Sequence, residues 1–292
     1  MPIERIDIVL GSNCNNNCSF CVLDDKSKKF KSKSKEEIIR DLKESSKECD
    51  FLTLTGGEPT IRKDILDIVE TAKKLGFNEI HLQTNGRMLS YNLFCKKLIE
   101  KGVTSFTISF HADCEELGDK FSKTKGSFQQ TLKGMENIKK YGAKLITNTV
   151  IFKQNYKNLL KITKKAIEMN ADQIQMVFIR PQGQTLKNFE ELVPKIKEII
   201  PNVIECINFC KSEKKKILIE GIPLCLIQEH QEHIAEKHMP VTKILAVENF
   251  YNRPKTKIKS LICKRCKLNN QCTGIWTNYA KKFGFGELEP LK

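Results

Sequence analysis

Three cysteines near the amino terminus have a spacing that suits an iron-sulfur cluster. Cys14, Cys18 and Cys21 lie within the string CNNNCSFC, and no fourth cysteine lies nearby. Three thiolates can bind three irons of a [4Fe-4S] cube and leave the fourth iron open to another ligand. An open iron predicts chemistry as well as structural support.

A second string, TGGEP, follows the cysteines after about one β-α-β unit and spans Thr55 to Pro59. This string, the C-x3-C-x2-C spacing and the aromatic Phe20 before the last cysteine together resemble the radical S-adenosylmethionine (radical SAM) superfamily. In that superfamily, SAM chelates the open iron through its amino and carboxylate groups. An electron from the reduced cluster then cleaves SAM into methionine and a 5'-deoxyadenosyl radical, which takes a hydrogen atom from a substrate.

The resemblance implies a set of SAM contacts around these two strings. Gly56 and Gly57 lack a Cβ atom, so their backbone can approach the ammonium group of SAM closely. Glu58 and Pro59 are expected to define the turn after the strand, and Phe20 is expected beside the adenine. A zinc site is the alternative for three cysteines at short spacing, but it would not predict the TGGEP string.

Strand-like and helix-like segments alternate about six times between residues 6 and 200. Such alternation predicts an α/β fold in which helices cover a parallel sheet, with functional loops at the carboxyl ends of the strands. The partial (β/α)6 TIM-like barrel of radical SAM enzymes has the same arrangement. We therefore expect a radical SAM core at 1–204 and a small C-terminal, cysteine-rich, metal-binding domain at 205–292.

Barrel geometry predicts that polar residues at the strand ends belong to the site, because these ends face the same cavity as the cysteines. The candidates are Gln83, Asn85, Ser109, His111, Asn148 and Arg180. Ser109 and Asn148 resemble positions that contact the SAM carboxylate and ribose in relatives. The alternatives are that Asn148 is satisfied by neighbouring backbone, that Asn85 belongs to a simple Asn-Gly turn, and that Arg180 is solvated.

Six further cysteines lie in the second half of the chain, at Cys206, Cys210, Cys225, Cys263, Cys266 and Cys272. The C-x2-C-x5-C spacing of the last three resembles the SPASM and twitch extensions, which hold auxiliary iron-sulfur clusters. A full SPASM pattern has another cysteine where Trp276 stands here. We therefore expect one auxiliary [4Fe-4S] cluster on Cys225, Cys263, Cys266 and Cys272, with Cys206 and Cys210 in reserve. A structural zinc on four cysteines is the alternative.

The composition narrows the class of protein. The chain has 292 residues, 40% of them hydrophobic, and a formal net charge of +15. No segment has the pattern of a membrane span or signal peptide, so we expect a cytoplasmic protein without a membrane partner. The positive charge can attract an acidic peptide, a phosphorylated small molecule or tRNA, although no RNA-binding motif is present.

The predicted function is a radical SAM enzyme that modifies a peptide or protein. The resemblance also implies an electron donor such as flavodoxin or ferredoxin. One alternative is a small-molecule enzyme like the GTP-cyclising enzyme of molybdopterin synthesis, although that family ends in a Gly-Gly pair and this chain ends in EPLK. Another is a basic, zinc-containing nucleic-acid-binding protein.

Overall fold

The computed structural model describes residues 2–22, 32–246 and 257–291. Eight parallel strands in these ranges form one sheet. They are β1 (Arg5–Val9), β2 (Phe51–Thr55), β3 (Glu79–Thr84), β4 (Ser105–Ser109), β5 (Lys144–Ile151), β6 (Gln173–Phe178), β7 (Lys216–Glu220) and β8 (Thr242–Leu245). The strand order is β7-β6-β5-β4-β3-β2-β1-β8.

Helices follow most strands and cover the outer face of the sheet. They are α1 (Lys35–Ser45), α2 (Ile65–Lys74), α3 (Asn92–Lys101), α4 (Glu115–Ser122), α5 (Ser127–Lys140), α6 (Leu159–Glu168), α7 (Gln184–Lys187), α8 (Phe189–Leu192) and α9 (Ile196–Ser212). Helix α2 shows why they pack there, because Ile65, Ile68, Val69 and Ala72 are buried at helical spacing and form one apolar face.

Side chains alternate along each strand, so apolar residues lie on one face of the sheet and polar residues lie on the other. In β1, Ile6 and Ile8 are fully buried in the core, whereas Arg5 and Asp7 remain partly accessible and pair with each other. The edge strands β7 and β8 do not pair with each other in the described ranges, so the barrel is open. The predicted fold class, a partial TIM-like barrel with a cysteine-rich C-terminal region, is confirmed.

The barrel continues past the predicted boundary at residues 204 and 205, which falls inside α9. Pro201 lies inside this helix, although proline lacks a backbone N–H and disfavours a helix interior. The helix nevertheless continues, with Ile199 and Val203 buried on either side of the proline. Beyond it, β7 pairs with β6 and β8 pairs with β1, so both strands belong to the main sheet.

The C-terminal region packs against the barrel through a short antiparallel pair and a helix. These are β9 (Lys257–Ile258), β10 (Ile275–Trp276) and α10 (Thr277–Phe283). The Tyr279 hydroxyl accepts a hydrogen bond of 2.9 Å from the backbone N–H of Ile196, and Asn278 donates to the Pro181 carbonyl at 2.9 Å. In the described ranges, no helix combines the length and apolar character required to span a membrane.

Candidate functional site

The glycine pair after β2 packs directly against the start of the cysteine loop. The backbone N–H of Gly57 donates to the Gly11 carbonyl at 2.8 Å, and that of Glu58 donates to the Asn13 carbonyl at 2.7 Å. A Cβ atom at Gly57 would lie 2.2 Å from the Asn13 oxygen, and one at Gly56 would lie 2.5 Å from the Gly11 oxygen. Both positions therefore need glycine for the contact between the two loops, independently of any ligand.

Glu58 points away from the cavity and joins the β2 loop to the end of β3. Its carboxylate accepts hydrogen bonds from the Thr60 N–H at 2.9 Å, the Thr60 hydroxyl at 2.5 Å, the Thr84 hydroxyl at 2.6 Å and the Asn85 N–H at 2.7 Å. The side chain is buried, and this burial raises its pKa. Neither Glu58 nor Pro59 is among the residues that line the cavity beside the cysteines.

Cys14, Cys18 and Cys21 all line one cavity of about 480 Å³. Cys14 is exposed, and the other two are partly buried. Desolvation raises the pKa of Cys14, as does the negative charge of Glu58, against hydrogen bonds from the Asn16 N–H and the Asn85 amide that lower it. Because metal ligation requires thiolates, these thiols would release protons on binding iron.

Arg87 holds the cysteine loop in place, and our sequence analysis did not identify it. Its guanidinium donates to the Asn15 carbonyl at 2.5 Å and to the Asn16 side-chain oxygen at 2.8 Å. Gln130 orients the guanidinium through a 2.7 Å hydrogen bond from Arg87 Nε. The only sequence signal was its place in the string TNGR, directly after a predicted strand and turn.

The structure brings all of the strand-end candidates to the same cavity as the three cysteines. They are Gln83, Asn85, Ser109, His111, Asn148 and Arg180. The Asn148 side-chain oxygen is buried and has no hydrogen-bond partner in the described residues. Such a group is costly unless something pairs with it, so the cavity presents an acceptor that suits a ligand donor.

Phe20 forms part of an aromatic wall of the cavity. Its ring stacks on Phe152 with centroids 4.7 Å apart and meets the His111 ring edge-to-face at 4.8 Å. The Phe20 carbonyl accepts a 3.0 Å hydrogen bond from the buried Thr185 hydroxyl. Burial lowers the pKa of His111 to about 4, and its Nδ1 accepts from the Val150 N–H, so the ring is neutral near pH 7.

Trp276 lines the cavity and belongs to the C-terminal region. In the sequence it stood out only because it occupies a position where a full SPASM pattern has a cysteine. It lies beside Arg180 and Glu220 in the cavity wall. The Arg180 guanidinium is 5.1 Å from the indole centroid, and the Lys257 ammonium is 4.5 Å from it. Arg180 follows β6 and Glu220 ends β7, so this part of the cavity wall comes from strands far from β1 in the strand order.

Four C-terminal cysteines surround a second, small cavity. They are Cys225, Cys263, Cys266 and Cys272. Burial raises the pKa of Cys225, and the charges of the other three cysteines raise it further. The described residues contain no group of three or more Cys, His, Asp or Glu side chains arranged to hold a single metal ion.

Cys206 and Cys210, which the sequence analysis kept as reserve ligands, lie outside this cavity. Cys206 and Cys210 are fully buried on α9, where Cys206 contacts Thr163 of α6, and burial raises both pKa values to about 12. They do not line the cavity of the four C-terminal cysteines. The continuation of α9 explains this placement, because it turns both side chains into the barrel core.

The chain is similar to known proteins in sequence and in fold. The Radical SAM superfamily matches residues 8–166, which is more than half of the chain. A probable GTP 3',8-cyclase of Saccharolobus islandicus is 28% identical over 208 residues, covering 67% of this chain and 66% of the relative. A second, from Sulfurisphaera tokodaii, is 30% identical over 204 residues and is covered over 64% of its length. The chain thus spans slightly less than two thirds of these curated relatives.

The crystal structure of Streptococcus suis SuiB bound to S-adenosylmethionine has a TM-score of 0.70 to this chain at 15% identity. The match covers 97% of this chain and 74% of SuiB, and SuiB has also been crystallised with its precursor peptide SuiA. At this identity the likeness concerns the fold, which agrees with the open parallel barrel described above. The chain therefore belongs to the radical SAM superfamily, and it is an enzyme whose cofactors are a [4Fe-4S] cluster and S-adenosylmethionine.

Proposed function

We propose that Cys14, Cys18 and Cys21 bind the [4Fe-4S] cluster and that SAM occupies the adjoining part of the 480 Å³ cavity. The observation that carries this proposal is the shared cavity, because it joins three cysteines of one loop to polar groups at the ends of β3 to β6. Three thiols on one short loop fit three corners of a cube and leave the fourth open.

The cluster and SAM supply an electron and a 5'-deoxyadenosyl radical, and the surrounding residues position and protect the site. The backbone of Gly56 and Gly57 forms the floor beside Cys14. Ser109 and the unpaired Asn148 oxygen provide hydrogen bonds for polar groups of SAM. Phe20 contributes an apolar wall that excludes water. Glu58 and Pro59 act indirectly, by holding the glycine pair against the cysteine loop.

For the substrate, we propose a peptide or protein. Among the described residues that line the cavity, Arg180 is the only lysine or arginine, and Glu220 lies in the same wall. A nucleoside triphosphate carries several negative charges and is normally held by several cations. One guanidinium beside a carboxylate suits a substrate with few charges better. The fold shared with SuiB, which binds a precursor peptide, supports the same substrate class.

The second candidate is cyclisation of GTP, and the curated relatives favour it. Their names describe GTP 3',8-cyclases, and the identity is 28% to 30%. The net charge of +15 would also suit a nucleotide substrate. We rank it second because a triphosphate requires several cations. Arg180 is the only lysine or arginine among the described residues that line the cavity.

We further propose that Cys225, Cys263, Cys266 and Cys272 bind an auxiliary [4Fe-4S] cluster. The four cysteines line one cavity, and four thiolates can occupy all four coordination positions of a [4Fe-4S] cube. A structural zinc on the same four cysteines is the alternative, and analysis of iron and zinc content distinguishes the two.

Replacement of Cys14, Cys18 and Cys21 by alanine tests both metal assignments. After anaerobic reconstitution we expect iron to fall from about eight to about four atoms per chain. We also expect release of 5'-deoxyadenosine from SAM under dithionite to be lost. The control is Cys114→Ala, since Cys114 is exposed and does not line the cavity. Undiminished 5'-deoxyadenosine release would refute the first assignment, and zinc with no remaining iron would refute the second.

Measurements of GTP binding and GTP consumption distinguish the two substrate classes. Equilibrium dialysis of the reconstituted enzyme against labelled GTP at millimolar concentration should show no saturable binding, because one arginine cannot balance a triphosphate. Chromatography of reduced reaction mixtures should likewise show no GTP consumption. Saturable binding together with consumption matched by 5'-deoxyadenosine would establish the cyclase candidate and remove the peptide proposal.

A further inference from the structure

The barrel encloses a second cavity, of about 520 Å³, at the amino ends of its strands. Its wall is polar, and the buried side chains of His81, Thr107 and Gln173 all belong to it. The interior of a closed TIM barrel is instead filled mainly by bulky aliphatic side chains. We call this space the amino-end cavity. The first residue of each strand from β1 to β7 lines it: Arg5, Phe51, Glu79, Ser105, Lys144, Gln173 and Lys216.

The amino-end cavity adjoins the cavity of the three N-terminal cysteines inside the barrel. Both are lined by the same five residues, which are Gln83, Thr107, Gln175, Val177 and Glu220. Gln173 and Val177 lie on one face of β6 and are four residues apart, which is about 13 Å along a parallel strand. An elongated molecule can therefore extend from the cysteine end of the barrel to the amino ends of the strands.

Three side chains on neighbouring strands of this cavity suit an oxyanion. Lys144 begins β5, Gln173 begins β6 and Lys216 begins β7. Gln173 pairs in register with Lys216 on one side and with Ile146, two residues after Lys144, on the other. Neighbouring strands are about 4.8 Å apart, so two ammonium groups flank one amide. We call Lys144, Gln173 and Lys216 the amino-end cluster.

The polar side chains of the amino-end cluster are not paired with other described residues. The Gln173 side chain is 6% exposed and forms no hydrogen bond with a described residue. Lys144 and Lys216 are exposed and form no ion pair in the described ranges. A buried amide without a partner is costly, so a ligand acceptor at Gln173 would be stabilising.

The electrostatic environment within the amino-end cavity is positive. Burial lowers the pKa of His81 most, and the charges of Arg5 and Lys144 lower it further. No acidic side chain of the described residues raises that pKa in opposition. Two acidic residues line the cavity, but Glu220 ends β7 at the opposite end of the barrel, and Glu79 begins β3, two strands from β5. The cavity therefore favours an anion over a cation.

We propose that the amino-end cluster binds a carboxylate of an acidic peptide substrate whose modified residue lies at the cysteine end of the barrel. This inference rests on the proposed peptide substrate and deepens it. Lys144 and Lys216 balance the charge of the carboxylate, and the Gln173 amide donates a hydrogen bond to it. The length of about 13 Å along β6 corresponds to about four residues of extended peptide. The carboxylate therefore lies about four residues from the modified position.

Isothermal titration of the reconstituted enzyme with two short peptides tests the proposal without relying on turnover. One probe is a tetrapeptide of three alanines followed by glutamate, capped at both ends, and the other has glutamine in place of the glutamate. The glutamate peptide should bind at least about tenfold more tightly than the glutamine peptide, and added salt should weaken its binding. Lys144→Gln combined with Lys216→Gln should reduce its affinity to that of the glutamine peptide.

Three further variants separate carboxylate recognition from a loss of structure. Lys144→Arg with Lys216→Arg keeps both charges and should retain binding of the glutamate peptide. Gln173→Met keeps the size of the side chain but removes the amide, and should weaken binding about fivefold. The matched control, Lys97→Gln with Lys161→Gln, removes two charges from exposed positions on α3 and α6 that line neither cavity, and should bind like the wild type.

Several outcomes would overturn the proposal. They are absence of binding by the glutamate peptide, equal affinity for the two peptides, and equal weakening by the control pair. Inorganic phosphate or GTP that binds more tightly than the glutamate peptide, and loses affinity when Lys144 and Lys216 are changed to glutamine, would assign the cluster to a phosphate instead. Iron content and 5'-deoxyadenosine release of the wild type test the radical SAM site separately, so failure at the amino-end cluster can be told apart from failure of the proposed function.

Discussion

At the scale of single residues, Gly57 shows how a motif residue serves the architecture around a cofactor. The N–H of Gly57 bonds to the Gly11 carbonyl, and its Cα faces the backbone of Ser12 and Asn13. The close contact aligns the loop after β2 with the loop that carries Cys14. A side chain here would disturb the cysteines before it touched any ligand.

Gly57→Ala should therefore reduce iron at the first site. Its Cβ would lie 2.2 Å from the Asn13 oxygen, a backbone atom that can move only if the cysteine loop moves. We expect iron per chain to fall by about four atoms and 5'-deoxyadenosine release to drop more than about tenfold. Gly286→Ala is the control, since a Cβ there meets nothing within 4 Å. Full iron content in Gly57→Ala would contradict this account.

At the scale of elements, β3 and β4 are joined inside the barrel by a buried histidine. His81 Nδ1 lies 2.7 Å from the Ser105 hydroxyl and Nε2 lies 2.9 Å from the Thr107 hydroxyl. Burial, followed by the charges of Arg5 and Lys144, lowers its pKa to about 3. The folded barrel therefore keeps this ring neutral at pH values where the unfolded chain protonates it.

This difference makes the barrel acid-sensitive. Below the unfolded pKa of about 6.5, protonation favours the unfolded state, and the loss continues until the folded pKa is reached. Between about pH 7.5 and about pH 5.5, His81 should cost about 1.4 kcal/mol of unfolding free energy. Urea unfolding at the two pH values should show that His81→Gln, which keeps hydrogen-bonding groups but does not titrate there, loses less stability than the wild type. Equal losses would argue against the buried neutral ring.

At the scale of the whole molecule, the C-terminal region contributes to the wall of the barrel cavity. Trp276 reaches the barrel cavity from β10, only four residues after Cys272. Gly274 lies between them, donates to the Cys272 sulfur at 3.4 Å, and packs so closely on Ile258 that a Cβ would lie 2.2 Å from that carbonyl oxygen. We therefore expect order at the four cysteines to affect the position of Trp276 in the cavity wall.

The single tryptophan offers a direct measurement of this coupling. Trp276 is only 6% exposed, so its fluorescence emission should be blue-shifted in the intact protein. Serine at Cys225, Cys263, Cys266 and Cys272 should shift the emission to the red, because β10 loses its anchor and the indole meets water. Cys114→Ser should leave the emission unchanged. An unshifted spectrum in the quadruple variant would separate the C-terminal metal site from the cavity wall.

Local pattern was sufficient to predict the barrel. Buried side chains recur every two residues in a strand and every 3.6 residues in a helix. This periodicity can be recognised in the sequence without the three-dimensional structure. Cys14, Cys18 and Cys21 lie close together in the chain, so their spacing predicts a joint role in metal binding. Helix α9 marks the limit of local rules, because it continues through Pro201, a residue that disfavours a helix interior, with Ile199 and Val203 buried on either side.

Contacts between distant residues were decided only by tertiary structure. Residue patterns were enough to predict an α/β barrel of the radical SAM type and cysteine-rich segments in both halves of the chain. Only the fold turned Glu58 toward Thr84, placed Trp276 in the cavity and buried Cys206 away from the C-terminal cysteines. These contacts join residues that are far apart in the sequence, so the spacing of neighbouring residues does not predict them. They depend on packing and hydrogen bonding across the whole molecule.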